Sequence, residues 1–346
     1  MDTSRTENLT GTESGRAQKL NMVRDAALQS QLLERRKRLS TATADSKGST
    51  SLVQLLHEVD AALERMNSGT FGVCETCHDT IENERLLVDP LIRNCLDHLS
   101  AIEQRGLQRD LDLAYEIQNG LLPRPDIRVD GWQVAYHYEP AGHVSGDYCD
   151  LIIPERDSDT FFFLIGDVTG KGVAASLLMA HLHAIFRSLI TANLPVDGLV
   201  SRANRIFCEG TMSTHFATLV CGRASRNGLV ELCNAGHCFP LAVRGTGVQS
   251  IPSTGLPLGL FCDSEFSSRS ITLEPGESLA LYTDGVTELR NPASEEYGEP
   301  RLSAFLGNQR TLEPRNMIAA SIGDLSVFRA GAAKTDDVTM MVIRRD

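Results

Sequence analysis

The chain has 346 residues, 42% hydrophobic and 23% charged, with a formal net charge of −12. Its length exceeds one typical domain of roughly 100–200 residues, so two folded units are expected. The acidic balance argues against nucleic acid as the main partner. No uninterrupted apolar run approaches the ~18 residues of a membrane span, and the polar first 16 residues lack the apolar centre of a secretion signal. Nine cysteines, an odd number with several in apolar runs (Cys208, Cys221, Cys233), suit reduced thiols better than a disulfide framework. Together these features predict a cytoplasmic protein.

In chain order, residues 1–16 are expected to form a polar tail. Residues 17–39 carry Leu20, Val23, Ala27, Leu32 and Leu33 at steps of three and four and predict a helix. Its basic run Arg35–Arg36–Lys37–Arg38 reads as a solvated face. A Ser/Thr-rich segment, Ser40 to Ser51, interrupts it. The stripe Leu52, Leu55, Leu56, Val59, Ala62 and Leu63 then predicts a second helix, antiparallel to the first. A compact loop is expected over residues 67–100. Residues 101–122 return to helical spacing through Leu107, Leu111, Ala114, Ile117 and Leu121, and Pro123 and Pro125 end that helix. Beyond residue 129, β-rich runs appear at Trp132–Tyr138, Phe161–Ile165, Phe216–Val220, Leu229–Cys233, Leu279–Tyr282 and Val338–Ile343. Helical stretches at 173–190, 196–209 and 314–329 separate some of them. Strands adjacent in sequence, interspersed with helices, predict antiparallel sheet covered by helices, an α+β fold.

The loop holds two pairs of soft ligands, Cys74-x-x-Cys77 and Cys95-x-x-His98, with seventeen residues between the pairs. That is a tetrahedral zinc spacing: each pair sits on a tight turn, and Gly72 lets the backbone curl ahead of the first. Four ligands leave no open coordination position, so the ion would be structural. Buried thiols beside a surface histidine are the bland alternative, and His78 is a second choice for the fourth ligand. The string from Met66 to His98, MNSGTFGVCETCHDTIENERLLVDPLIRNCLDH, resembles the zinc finger of the DksA/TraR family, helical pair included, over about residues 20–100. That family commonly has cysteine where this chain has His98. Its members act on RNA polymerase through acidic residues at a coiled-coil tip, whereas Asp45 is the one acid in the tip region here.

Four acidic motifs punctuate the C-terminal part: SGDYCD at 145–150, GDVTGKG at 166–172, YTDG at 282–285 and TDDVT at 335–339. An Asp at a strand end, flanked by small residues, is exposed enough to bind and is held by a rigid sheet. Carboxylates that converge without cations raise one another's pKa, so convergence implies divalent ions, and oxygen ligands favour Mg²⁺ or Mn²⁺ over zinc. Singly, an Asp-Gly pair is first a turn dipeptide. A nucleotide-binding reading of Gly166 to Lys171 fails, because only three residues separate the first Gly from Gly-Lys and Gly172 follows.

Taken in order, AGHVSGDYCD, GDVTGKGVAASLLMA, NAGHCFP, LYTDGVTE and KTDDVTMMVI resemble the PPM-type serine/threonine phosphatases, and most of all their SpoIIE/RsbU-like branch, over residues 105–346. The resemblance implies an αββα sandwich of two antiparallel sheets flanked by helices, preceded here by the helical zinc-finger unit. It implies that Asp147 binds one of two Mn²⁺ or Mg²⁺ ions, that Asp167 bridges both with the Val168 carbonyl adding a ligand, and that Asp284 and Asp336 complete the site. Asp150 and Asp337 would stand behind these ligands. The chemistry would be in-line attack of a metal-activated hydroxide on a phosphoserine or phosphothreonine, and the substrate a STAS-type anti-sigma-factor antagonist. His143 and His237 are candidate general acids that more simply read as structural. Lys171 stands where the family often has His, near an incoming phosphate or only solvated, and Ser145 replaces a common Gly.

The expected organisation is a tail over 1–16, a helical hairpin with zinc finger over 17–100, a linker helix over 101–125 and a phosphatase domain over 126–346. The string AYEIQNGLLPRP is similar to the linker helix through which upstream domains of that branch control activity. It also reads as a plain packing helix, or as a short coiled coil joining a homodimer. A second reading of the whole chain is a regulator docking on RNA polymerase, with a catalytically silent phosphatase scaffold.

Overall fold

The computed structural model describes residues 25, 28–43, 50–99, 101–129, 131–154, 159–192, 194–212 and 214–346. The tail expected over 1–16, the start of the first helix and Asp45 lie outside the described residues. The chain divides into two compact units, Met1–Gln108 and Arg109–Asp346.

In the first unit, α1 (28–43) and α2 (Thr50–Ser68) bury Leu32 and Leu39 against Val59, Ala62 and Leu63, the stripe that the spacing predicts. Helix α1 runs past residue 39, where the sequence suggests a break. The hydroxyls of Ser40, Thr41 and Thr43 each donate to the carbonyl four residues back, at 2.9, 3.0 and 2.9 Å. Back-bonding of this kind satisfies Ser and Thr inside a helix. The segment expected as loop contains the short α3 (Asn83–Val88) and a 3₁₀ turn, Leu96–His98, around a small core of Leu28, Cys74, Ile81, Leu86 and Cys95. Helix α4 (Ala101–Leu121) crosses the division between the units.

The second unit is built on two antiparallel sheets. One runs in the order β1 (Asp126–Val129), β2 (Trp132–Glu139), β11 (Val338–Arg345), β10 (Ser278–Tyr282), β7 (Leu241–Arg244), β8 (Gly247–Ser250). The other runs β3 (Asp147–Ile152), β4 (Thr160–Val168), β5 (Ala217–Ser225), β6 (Leu229–Ala235), β9 (Arg269–Thr272). Side chains alternate across each strand. On β4, Phe161, Phe163 and Ile165 join Leu279 and Leu281 of β10 and Met341 and Ile343 of β11 in the layer between the sheets. Phe162, Leu164 and Val168 turn the other way, onto α5 (Gly172–Leu189) and α6 (Val196–Gly210). On the far face, Ala280, Met340 and Val342 pack under α8 (Glu299–Asn308) and α9 (Pro314–Arg329). The layers are therefore helix, sheet, sheet, helix, the α+β sandwich expected. The stretch Gly172–Ala192 is long and apolar enough to cross a bilayer by length and composition. Here Ala175, Met179, Leu182 and Phe186 of α5 are buried in the domain core.

Candidate active site

Asp147 on β3 lies directly opposite Asp167 on β4. Their strand neighbours Cys149, Leu151, Phe163 and Ile165 all face the inter-sheet layer, and side chains two apart share a face. Both carboxylates are thus aimed between the sheets. From the opposite sheet, β10 ends at Tyr282 and Asp284 opens the one-turn helix α7 (Asp284–Thr287), while Asp336 and Asp337 immediately precede β11. Tyr282 pairs with Met340, so both approaches reach the same end of the sandwich.

Two threonines tie the sheets together there. Thr283 Oγ1 and Thr339 Oγ1 donate to Asp147 Oδ2 at 2.9 and 2.5 Å. The Tyr138 hydroxyl donates to the Asp147 carbonyl at 3.2 Å. Asp337 accepts from the backbone N–H groups of Ala141 at 2.6 Å and Gly146 at 2.9 Å, which anchors the loop entering β3. Gly146 is required by close approach: a Cβ there would meet Asp167 Oδ1 at 3.2 Å and the Val168 carbonyl at 3.3 Å. At Gly285 a Cβ would stand 1.8 Å from the Asp337 carbonyl oxygen.

The electrostatics are those of crowded acids. Burial pushes Asp167 up to about 7, reinforced by Asp284, Asp336 and Asp337. Burial also holds Asp147 well above the usual carboxylate range, with Asp167 and Asp337 adding to it against the threonine hydroxyls. Asp284 is raised by burial and by Asp336. Such a set is costly unless cations enter it. No three of these carboxylates lie within 4.8 Å of one another among the described residues. Asp147, Asp167, Asp284, Asp336 and the Val168 carbonyl suit Mn²⁺ or Mg²⁺ by donor chemistry. Lys171 is not simply solvated: its Nζ donates to Asp336 Oδ2 at 3.0 Å and to the Thr335 carbonyl at 2.6 Å, with the side chain 65% exposed.

Asp150 does not stand behind the carboxylates. Three residues from Asp147 on the same strand, it points to the opposite face, where Arg187 of α5 grips it with two bonds of 2.6 and 2.9 Å and the Tyr148 hydroxyl donates at 3.3 Å. Replacing Arg187 by Ala would leave a fully buried carboxylate with only the Tyr148 hydroxyl, the Leu151 N–H and His183 at 3.7 Å, a loss bounded by the about 3–5 kcal/mol of breaking a buried ion pair. We expect Arg187→Ala to lower the denaturation midpoint strongly while leaving the metal dependence of any activity unchanged. His237 is a core group: its Nδ1 meets Thr218 Oγ1 at 2.8 Å, and burial pushes its pKa down to about 4. His143 is exposed. The α4 stripe also departs from expectation, for Ile117 is exposed and Gln118 is buried.

In the first unit, the ligand atoms of Cys74, Cys77, Cys95 and His98 all lie within 4.8 Å of one another. Cys77 and Cys95 sulfurs are 3.6 Å apart, and Cys95 Sγ is 3.3 Å from His98 Nδ1. Sulfurs ~2.3 Å from a tetrahedral ion would stand ~3.8 Å apart. His78, in a left-handed conformation at φ 63°, is not in the group.

Residues 157–346 match the family model described as Stage II sporulation protein E (SpoIIE). The chain belongs to the SpoIIE family. Among SpoIIE-like relatives, Protein IcfG of Synechocystis sp. is 29% identical over 288 residues, 74% of this chain and 45% of IcfG. Phosphoserine phosphatase RsbP of Bacillus subtilis is 29% identical over 187 residues, 52% of this chain and 46% of RsbP. The chain spans a little under half the length of each. The SiaA-PP2C domain of Pseudomonas aeruginosa superposes with a TM-score of 0.64 at 18% identity, covering 72% of this chain and 100% of that domain. The second unit carries the SpoIIE match and shares the fold of the SiaA-PP2C domain. The SpoIIE match includes Asp167, Asp284 and Asp336, while Asp147 precedes it and joins them through the β3–β4 pairing.

Proposed function

We propose that this is a cytoplasmic, metal-dependent phosphatase acting on phosphoserine or phosphothreonine in a regulatory protein. The observation that carries the reading is geometric: Asp147 and Asp167 of one sheet meet Thr283, Asp284, Asp336 and Thr339 at the ends of β10 and β11 of the other, where burial and neighbouring acids push Asp167 up to about 7. Asp147, Asp167, Asp284, Asp336 and the Val168 carbonyl would hold two Mn²⁺ or Mg²⁺ ions. Bound there, such ions lower the pKa of a water toward neutrality and neutralise charge on phosphoryl oxygens. The chain's own part is to orient the ligands. Thr283 and Thr339 fix one oxygen of Asp147, and Asp337 holds the loop beside it. The name of RsbP supports a phosphoserine substrate, and the resemblance to the RsbU-like branch supports a STAS-type anti-sigma-factor antagonist. Hydrolysis of p-nitrophenyl phosphate and of a phosphoserine peptide, with Mn²⁺ and with Mg²⁺, tests the reading; no turnover with either metal sinks it. Capture of phosphoproteins by a variant that binds without turnover would identify the substrate. A silent scaffold docking on RNA polymerase is not favoured, since all four acids are present.

The same reading assigns structural zinc to Cys74, Cys77, Cys95 and His98, in a unit that serves as input to α4, itself the linker and a homodimer contact. Purified protein should contain stoichiometric zinc, lost in Cys95→Ser, and chelation should open residues 67–99 to protease. Zinc-free protein that resists protease there would exclude the assignment.

A further inference from the structure

The sandwich is open along one side, where β8 ends one sheet and β9 ends the other. Between these edge strands lies a cleft of about 600 Å³ whose lining includes Arg244, Gln249, Ile251, Arg269 and Ile271. The pairing register gives the direction of each side chain. Ala242 of β7 lies in the layer between the sheets; Gln249 pairs with it, and Arg244 is two residues further along β7. On β9, Arg269 and Ile271 pair with Leu232 and Val230, which lie in the same layer. Paired residues and residues two apart share a face. Two arginines from opposite sheets thus enter the mouth of an apolar layer.

That is a poor place for cations by themselves. Arg244 Nε is out of water and has no hydrogen-bond partner. Neither Arg244 nor Arg269 has an ion-pair partner among the described residues. The acid closest in the pairing, Glu231, is one residue from Leu232, so it turns to the other face and pairs with Arg223. Inward charges can also guard edge strands against pairing with other chains. A guard of that kind keeps its head in water, which Arg244 Nε does not.

We propose that this cleft binds a phosphate group, free or esterified, held between Arg244 and Arg269 with the Gln249 amide beside them. Facing sheets stand ~10 Å apart, so two long side chains from opposite walls can close on one small anion. Guanidinium forks match phosphate oxygens two at a time. Donors that converge from opposite walls suit a group with oxygens on every side, whereas a carboxylate offers two in one plane. The bound anion would strap the open edges of the sheets together. The cleft is separate from the carboxylate site, because Val243 pairs with Ser278, at the far end of β10 from Tyr282. The proposal stands whether or not the carboxylates hydrolyse a phosphate ester.

The test uses the full chain, dialysed free of Mn²⁺ and Mg²⁺ so that the carboxylate cleft repels the probe. Inorganic phosphate is titrated by calorimetry at fixed ionic strength, and the unfolding midpoint is followed in parallel. We expect one saturable site and a midpoint that rises with phosphate, as for any ligand of the folded state. Arg269→Ala, at an exposed position, should weaken binding about 10-fold or more. Arg244→Lys keeps the charge and loses the fork, and should weaken it comparably. Arg269→Ala carries the test alone if Arg244→Lys does not fold. Parallel titration with O-phosphoserine separates the sources: tighter binding of the ester or of the free anion names the one the cleft takes. No saturation below about 10 mM phosphate or phosphoserine, or affinities in the folded variants within about twofold of wild type, overturn the proposal. Acetate bound as tightly as phosphate overturns it too, since the site would then be one for carboxylates.

Discussion

Asp167→Asn should leave a folded protein whose metal-dependent hydrolysis is lower by about three orders of magnitude. Bound ions supply several kcal/mol of charge stabilisation, and about 1.36 kcal/mol corresponds to a tenfold change in rate. The substitution conserves shape and removes a carboxylate on which Asp284, Asp336 and Asp337 all press. Loss of turnover should therefore come with loss of Mn²⁺ binding, measured by calorimetry, and without loss of structure. In metal-free protein at pH 8 the variant should unfold at a higher temperature than wild type, because it no longer places an ionised, half-surrounded carboxylate beside Asp284 and Asp336. An Asp167→Asn variant with wild-type turnover would exclude Asp167 as the bridging ligand. One that is inactive and unfolded would show that Asp167 supports the fold as well.

The second large effect is the pH dependence of stability in chelator. The folded value of Asp167 is about 7, above the ~3.9 of an unfolded Asp. Between those values the folded chain keeps a proton that the unfolded chain has released. Stability falls with rising pH wherever the folded state binds more protons. Asp167 should accordingly cost metal-free protein stability from about pH 4 to about pH 7, by a few kcal/mol at most. His237, pushed down to about 4 by burial, works the other way below about pH 6.5, so the fall is read as the difference between wild type and Asp167→Asn. Asp147 and Asp284, both raised, act in the same direction. Glu139, lowered overall by His137 and Lys334 despite the opposing effect of burial, acts oppositely and at the acid end of the range. Mn²⁺ should reverse the trend, since ions compete with protons for the same oxygens. At a hundred times its dissociation constant the metal adds about 2.7 kcal/mol. Thermal unfolding in chelator at pH 5, 6, 7 and 8, repeated with Mn²⁺ and with Asp167→Asn, checks this. A stability difference between wild type and Asp167→Asn in chelator that stays flat across the range, or moves in favour of wild type as pH rises, contradicts it.

Much of this arrangement was legible in the residues before folding. The stripes of α2, α5 and α9 are written at helical spacing, and the short continuous apolar runs of β4, β10 and β11 mark strands buried on both faces. The acids at 147, 167, 284 and 336 carry their local signal, a carboxylate beside small residues at an apolar run. Strand β3 went unread because DYCDLI puts two acids into a wholly buried strand, and burial on both faces erases alternation. Thr283 and Thr339 carried a weak signal, a threonine beside each of two acidic motifs. Gln118 carried none, since an amide at the edge of an apolar stripe looks solvent-facing until something is found opposite it.

The amino-acid order by itself determines which residues share a face of a strand or helix, because periods of 2.0 and 3.6 are local properties of the backbone. Which face meets what is decided only when layers stack. Stacking sends Asp147 toward Asp167 and the threonines of the other sheet, and Asp150, on the opposite parity of the same strand, to Arg187. It also buries Gln118 on Ser145 where periodicity alone would have buried Ile117.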